Sequence, residues 1–393
     1  MLYAVPAWTR SYSPAVSSNK EHPSVSSRRA IALLGRQDAP TDAVEEYCQY
    51  LAGALRAHDF ELELARVAWV EDGWPAAMRE LERQAKGWRG CWILVQYTAL
   101  AWSERGFPLR FSRVLRILRQ AGARVAMVYH DVLPYHGNRT IDKLRRRAQN
   151  HAMSEALRSC DLGVFTVPVS KIPWIGKKHT RAIFIPVGAN LPEPETAWTM
   201  ARTEPNRLPT ICVFGITGGE GGIWEIASIS EALQIVAERL GKLRLIVMGR
   251  HSDTAEKALR NLMDKLPIEV SALGVLPGEE IVRRMACCDV LLFVRGGISS
   301  RRGSAIAGIA CGLPVVALEG TETAFPITEA GVVFADPKRQ RGLGEALLKV
   351  LSDPVYRSSL AERSRRAQEK YFSWKAIAAR YAEALRFEDG SVS

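Results

Sequence analysis

The chain predicts two doubly wound α/β domains facing one another across a cleft, and three observations carry this. At 393 residues it exceeds what one hydrophobic core usually organises, at about 150 residues per domain. Short apolar runs alternate with amphipathic segments twice over, once in each half, the pattern of parallel sheets covered by helices. Between the halves, residues 186–208 hold Pro186, Pro192, Pro194 and Pro205 with little apolar periodicity, which reads as a linker.

In the first half the spacing predicts strands over 29–34, 61–67, 91–96, 124–129, 162–166 and 181–185. Helices are expected over 41–57, where Val44, Tyr47, Leu51, Ala54 and Leu55 repeat at helical spacing, and over 74–84, 111–120 and 142–160. The second half restarts with strands over 210–214, 244–248, 269–273, 290–294 and 314–317. Its helices fall at 223–240, 255–265, 279–286 and 304–310. The expected division is a loose, non-secreted tail at 1–27, a first domain at 28–190, a linker at 191–208, a second domain at 209–372 and a last helix at 373–388. Two such domains point their strand C-termini at one crevice, where open α/β sheets bind ligands.

Apolar residues form 47% and charged residues 24% of the chain, which excludes a wholly disordered class. No run of 18 apolar residues indicates a spanning helix. A formal charge of +11 favours anionic partners, yet no nucleic-acid motif accompanies it, so no nucleic acid is expected. The seven cysteines lack C-x-x-C spacing and read as buried free thiols of a reducing compartment, which favours the cytoplasm.

Several segments carry more than periodicity. They are 183–190 (IFIPVGAN), 243–250 (LRLIVMGR), Leu273-Gly274, 286–293 (ACCDVLLF), 310–317 (ACGLPVVA) and Tyr371-Phe372-Ser373-Trp374 heading the last helix. In order and spacing this set resembles the group 1 glycosyltransferases, family 4, of GT-B fold. The likeness covers about residues 180–388 closely, and the first half by its pattern alone.

The resemblance implies a sugar passed from a nucleotide diphosphate donor, held by the second domain, to a glycan, lipid-linked or small-molecule acceptor held by the first. It also implies retention and a last helix that crosses back to the first domain. No cofactor is expected beyond the nucleotide-sugar co-substrate. No Asp-x-Asp motif is present, so no metal is expected, and cations and helix N-termini would stabilise the leaving diphosphate.

Two family motifs are missing. The usual Glu-x7-Glu positions read Ser299 and Ala307, and the usual Gly-Arg-Leu-x3-Lys-Gly reads 215–222, GITGGEGG. In their place stands Arg295, then Ser300, Arg301, Arg302, Gly303 and Ser304 ahead of a helix. Two guanidinium forks, hydroxyl donors and a helix N-terminus suit a diphosphate. A solvated basic loop is the plainer alternative. Gly215, Thr217, Gly218 and Gly219 read either as a loop that lets backbone N–H groups approach the donor or as a flexible turn.

At the end of strand 124–129, His130 matches a family histidine near the reacting carbon, and Asp131 could set its tautomer. Gln96 and Tyr97 are assigned to the acceptor side, although a packed tyrosine is equally common. The run Arg139, Lys143, Arg145, Arg146, Arg147 reads either as a solvated helix face or as peripheral contact with an anionic membrane or lipid-linked acceptor. Two other readings stay open: a non-catalytic GT-B module that binds sugar nucleotide or glycan, and a sugar-nucleotide epimerase of the same fold, which would need acid/base carboxylates in the cleft.

Overall fold

The computed structural model describes residues 27–176, 181–194, 207–336 and 341–387. The expected tail lies outside these residues except for Ser27, as does most of the expected linker.

Six parallel strands form the first sheet: β1 (Arg28–Leu34), β2 (Phe60–Arg66), β3 (Trp92–Tyr97), β4 (Arg124–Tyr129), β5 (Leu162–Phe165) and β6 (Ala182–Phe184), in the order β2-β1-β3-β4-β5-β6. Helices α1 (Ala43–Leu55), α2 (Gly73–Ala85), α3 (Phe111–Gln120) and α4 (Thr140–Ser159) connect them. β3 is buried along its whole length, as expected of a strand covered on both faces. Asp42 caps α1 by accepting from the N–H groups of Val44 and Glu45.

The second sheet runs β12-β11-β10-β7-β8-β9, from β7 (Thr210–Phe214), β8 (Leu243–Met248), β9 (Ile268–Ala272), β10 (Val290–Gly297), β11 (Val315–Leu318) and β12 (Val332–Ala335). Its helices are α5 (Glu220–Leu240), α6 (Ser252–Met263), α7 (Gly278–Ala286), α8 (Gly303–Ala310), α9 (Gly342–Ser352) and α10 (Pro354–Ala367). α5 begins three residues before the expected 223 and takes up Gly221 and Gly222. A Cβ on Gly222 would lie 2.1 Å from the Thr217 carbonyl oxygen, so glycine there reflects a close backbone approach.

After a short π turn, α11 (Trp374–Phe387) crosses back and packs on α1. Trp374 donates to the Ala189 carbonyl at 2.7 Å and stacks on Tyr50 at 5.5 Å, while the Tyr47 and Tyr381 hydroxyls meet at 2.9 Å. A helix that follows the second domain thereby belongs to the core of the first. Trp374→Ala should lower unfolding stability by about 3 kcal/mol, the low end for Trp→Ala because the ring is half buried. Denaturant titration followed by circular dichroism checks this, and an unchanged midpoint would contradict the docking described here.

Candidate functional site

The strand order of the second sheet reverses between β7 and β10, and such a switch point opens a crevice at the strand C-termini. Gly215 leaves β7 at φ 77°. Arg295 Nη1, from β10, lies 3.2 Å from where a Cβ at 215 would stand, so the missing side chain is what admits the guanidinium. Beyond it, Thr217 gives its N–H and Oγ to the buried Glu225 carboxylate at 2.8 and 2.6 Å. That carboxylate ties the turn through Gly218 and Gly219 to α5.

Past β10 the chain bends back against the loop after β11. A Cβ on Gly297 would lie 2.5 Å from the Gly320 Cα, and this contact brings Glu322 onto the segment 298–302. Arg301 donates through Nε and Nη2 to Glu322 at 2.7 and 2.9 Å, and Ser299 Oγ donates to it at 3.1 Å. Burial pushes the Glu322 carboxyl up, but the hydrogen bonds and charge of Arg301 outweigh this and hold it below its usual value. The Ser300 hydroxyl is turned away from the crevice and donates to the Thr166 carbonyl at 2.7 Å, while its own carbonyl accepts from Val187 N at 3.1 Å. Ser300 therefore links the two domains.

α8 starts at Gly303 after Arg302, with no side-chain cap, so no capping side chain satisfies its first N–H groups. Gly303 and Ser304 line a cavity of about 410 Å³ with Arg295, Gly215, Arg250 and Leu276. A neighbouring cavity of about 410 Å³ holds Arg301, Arg302, Glu322, Tyr135 and His136. The buried Nε atoms of Arg295 and Arg302 have no hydrogen-bond partner among the described residues. Burial lowers both guanidinium groups, Arg302 to about 10; a guanidinium in a protein keeps its charge at neutral pH. Buried cations and a helix N-terminus without a side-chain cap are features that favour an anion.

From the first domain, His130 Nε2 meets Gln96 Oε1 at 2.8 Å, and Gln96 Nε2 donates to the Leu94 carbonyl at 3.0 Å. The second bond orients the amide, so His130 carries its proton on Nε2 and offers Nδ1 as an acceptor. Gln96 sets the tautomer. Asp131, expected in that role, instead accepts from Ala99 N at 3.0 Å and holds the loop after β3; burial raises its carboxyl. Tyr97, expected on the acceptor side, packs in the core against Phe111 and Tyr129. Gln96 is also buried, and bears on the cleft through His130.

Sequence reasoning passed over Glu322, Glu225, Glu46 and the interdomain role of Arg250. Arg250 pairs with Asp38 at 2.9 Å and donates to Thr41 Oγ1 at 3.0 Å across the cleft. Its place directly after β8 was a usable signal, because residues there face the crevice. The others are single carboxylates without a motif.

No protein-family model and no curated protein matches the sequence. Solved structures do match in fold. Sucrose-phosphate synthase from Thermosynechococcus elongatus superposes with a TM-score of 0.67 at 18% identity, over 93% of this chain and 100% of that one. Anabaena HepE in complex with UDP and glucose gives 0.62 at 15%, over 92% and 100%. WaaG, a glycosyltransferase involved in lipopolysaccharide biosynthesis, gives 0.58 at 16%, over 90% and 98%. The chain thus has the GT-B fold.

Burial, and secondarily the charge of Arg301, lower His130 to about 4. Unfolded His130 would take up a proton near pH 6.5, whereas the folded form waits until about 4. Its contribution is therefore complete above the unfolded value and is lost as pH falls through that window. NMR titration of the His130 ring should give an apparent pKa near 4; titration near 6.5 would contradict the buried, neutral assignment.

Proposed function

We propose that the chain is a glycosyltransferase that takes a sugar from a nucleotide diphosphate donor and passes it to a glycan, lipid-linked or small-molecule acceptor. The observation that carries this is the pair of buried, unpartnered guanidinium Nε atoms of Arg295 and Arg302 beside the open N-terminus of α8. Support also comes from the GT-B neighbours, among them HepE in complex with UDP and glucose.

In this reading the diphosphate lies against Arg295, Arg302, Gly303 and Ser304. The turn through Gly215, Thr217, Gly218 and Gly219 forms its floor. Arg301 contributes charge, its fork being taken by Glu322, and Ser300 positions the segment. As the bond from the anomeric carbon to the diphosphate breaks, the two arginines and the α8 N–H groups take up the developing charge, without a metal. His130 Nδ1 accepts from a sugar hydroxyl near the reacting carbon, and Asp131 acts as a positioning residue. The acceptor hydroxyl approaches on the face the diphosphate leaves, bonds to that carbon and yields its proton to the departing phosphate oxygen, so configuration is retained.

Thermal denaturation with UDP-, GDP-, ADP- and dTDP-sugars tests this. A true donor at about 100 times its dissociation constant adds roughly 2.7 kcal/mol. Arg295→Ala and Arg302→Ala should each weaken that donor about tenfold or more. Silence across the panel would sink the reading. Binding with no transfer to any acceptor would favour the non-catalytic module instead.

The reading extends to an acceptor held at a membrane. At the start of α4, Ile141 and Leu144 are 47% and 49% exposed among Arg139, Lys143 and Arg147, beside the cavity lined by Tyr135 and His136. No helix of the described residues is long and apolar enough to cross a membrane. Flotation with vesicles should show binding when phosphatidylserine is included and loss of it in Lys143→Glu/Arg147→Glu. Equal flotation with neutral phosphatidylcholine vesicles would contradict this face.

A further inference from the structure

The cavity at the second domain's switch point has a wall from the first domain. Thr41, Glu46, Gln49, Tyr50 and Asn190 line it opposite Arg295 and Ser304. Within that lining Glu46 is the one carboxylate. Its neighbours on α1 have other work: Asp42 caps the helix, and Glu45 pairs with Arg66 at 2.7 Å. Glu46 enters no ion pair among the described residues; its carboxylate hydrogen-bonds the Asn190 side chain and lies within the field of Arg250, which leaves acceptor positions open toward the cavity.

The opposite wall is unlike it. From the second domain come the cations Arg295 and Arg250, the backbone of Gly215 and Gly303, the small Ala307, and the apolar Phe214, Leu276 and Ile281. Apart from Ser304, these side chains offer no hydrogen-bond acceptor. Two ends of a nucleoside diphosphate fit this wall, the phosphates at Arg295 and Gly303 and the base on the apolar surface. The sugar between them carries hydroxyl donors that must find acceptors on leaving water. A carboxylate repels phosphate but accepts from a vicinal pair of hydroxyls. We propose that Glu46, from the first domain, is the ribose-recognising residue of the nucleotide pocket.

Glu46 is held in place for this. α1 is fixed by the Tyr47–Tyr381 hydroxyl contact, and Tyr50 by its stacking on Trp374, so the carboxylate stands on a rigid helix that the crossover helix braces. Nucleotide recognition then requires both domains, and the pocket is complete only when they are closed on one another.

The inference rests on the nucleotide-binding reading above, and one calorimetric experiment separates the two. The full chain and Glu46→Gln are titrated with UDP, ADP and GDP, and then with the 2′,3′-dideoxy form of whichever binds. Glu46→Gln should weaken the ribonucleotide about tenfold and leave the dideoxynucleotide unchanged, while the unaltered chain prefers the ribonucleotide by a similar factor. Equal loss for both forms, no loss, or tighter binding through removal of a negative charge overturns the role of Glu46 and leaves nucleotide binding standing. If the unaltered chain binds none of the three diphosphates and, titrated likewise, no dTDP, the nucleotide-binding reading fails and the role of Glu46 with it; binding of dTDP alone overturns the role of Glu46 and leaves nucleotide binding standing.

Discussion

The cleft depends on how the segment 298–302 is pinned. Ser300 gives its hydroxyl to Thr166 and its carbonyl to Val187 N, and both partners belong to the first domain. The Gly297–Gly320 contact fixes the same segment from the second domain. Arg301 and Arg302 are thereby carried to the interface on backbone that cannot drift, with α8 starting directly after them. Without that pinning, two adjacent like charges would spread toward solvent, since nothing in Coulomb repulsion favours burying them together.

Burial of so much positive charge is offset in part. Glu322 neutralises Arg301 through a two-point contact, whereas Arg302 and Arg295 feel nearby carboxylates only at a distance and keep an Nε without a hydrogen-bond partner among the described residues. A buried guanidinium with an unpaired Nε is costly, and an anionic ligand relieves that cost. The glycine turn at 215–219 belongs to the same arrangement. Glycine at 215 makes room for Arg295 from the neighbouring strand, so the cation reaches the switch point from β10. Arg250 works differently, because its partners Asp38 and Thr41 lie across the cleft and it clasps the domains beside the cavity it lines.

The fold was legible because βα alternation in both halves depends only on apolar spacing, and the returning helix is announced by Tyr371-Phe372-Ser373-Trp374. β12, α9 and α10 fall in a stretch for which the sequence reading assigns nothing. α5 starts early because tertiary packing overrides the weak helix propensity of Gly221 and Gly222. Side-chain placement in the cleft was less legible. β3 is buried on both faces, so no alternation tells that Tyr97 turns into the core while Gln96 supports His130. The arginines announced themselves as a cluster ahead of a helix, but Glu322 and Glu46 are lone carboxylates whose partners lie far off in sequence.

The proposed diphosphate site lies between Arg295 and Arg302 at the start of α8. A structure of the chain in complex with a bound nucleoside diphosphate tests it most directly. Phosphate oxygens are expected within hydrogen-bond distance of Arg302, Arg295 and the N–H groups of Gly303 and Ser304. Phosphates bound elsewhere, with both guanidinium groups still unpaired, would contradict it.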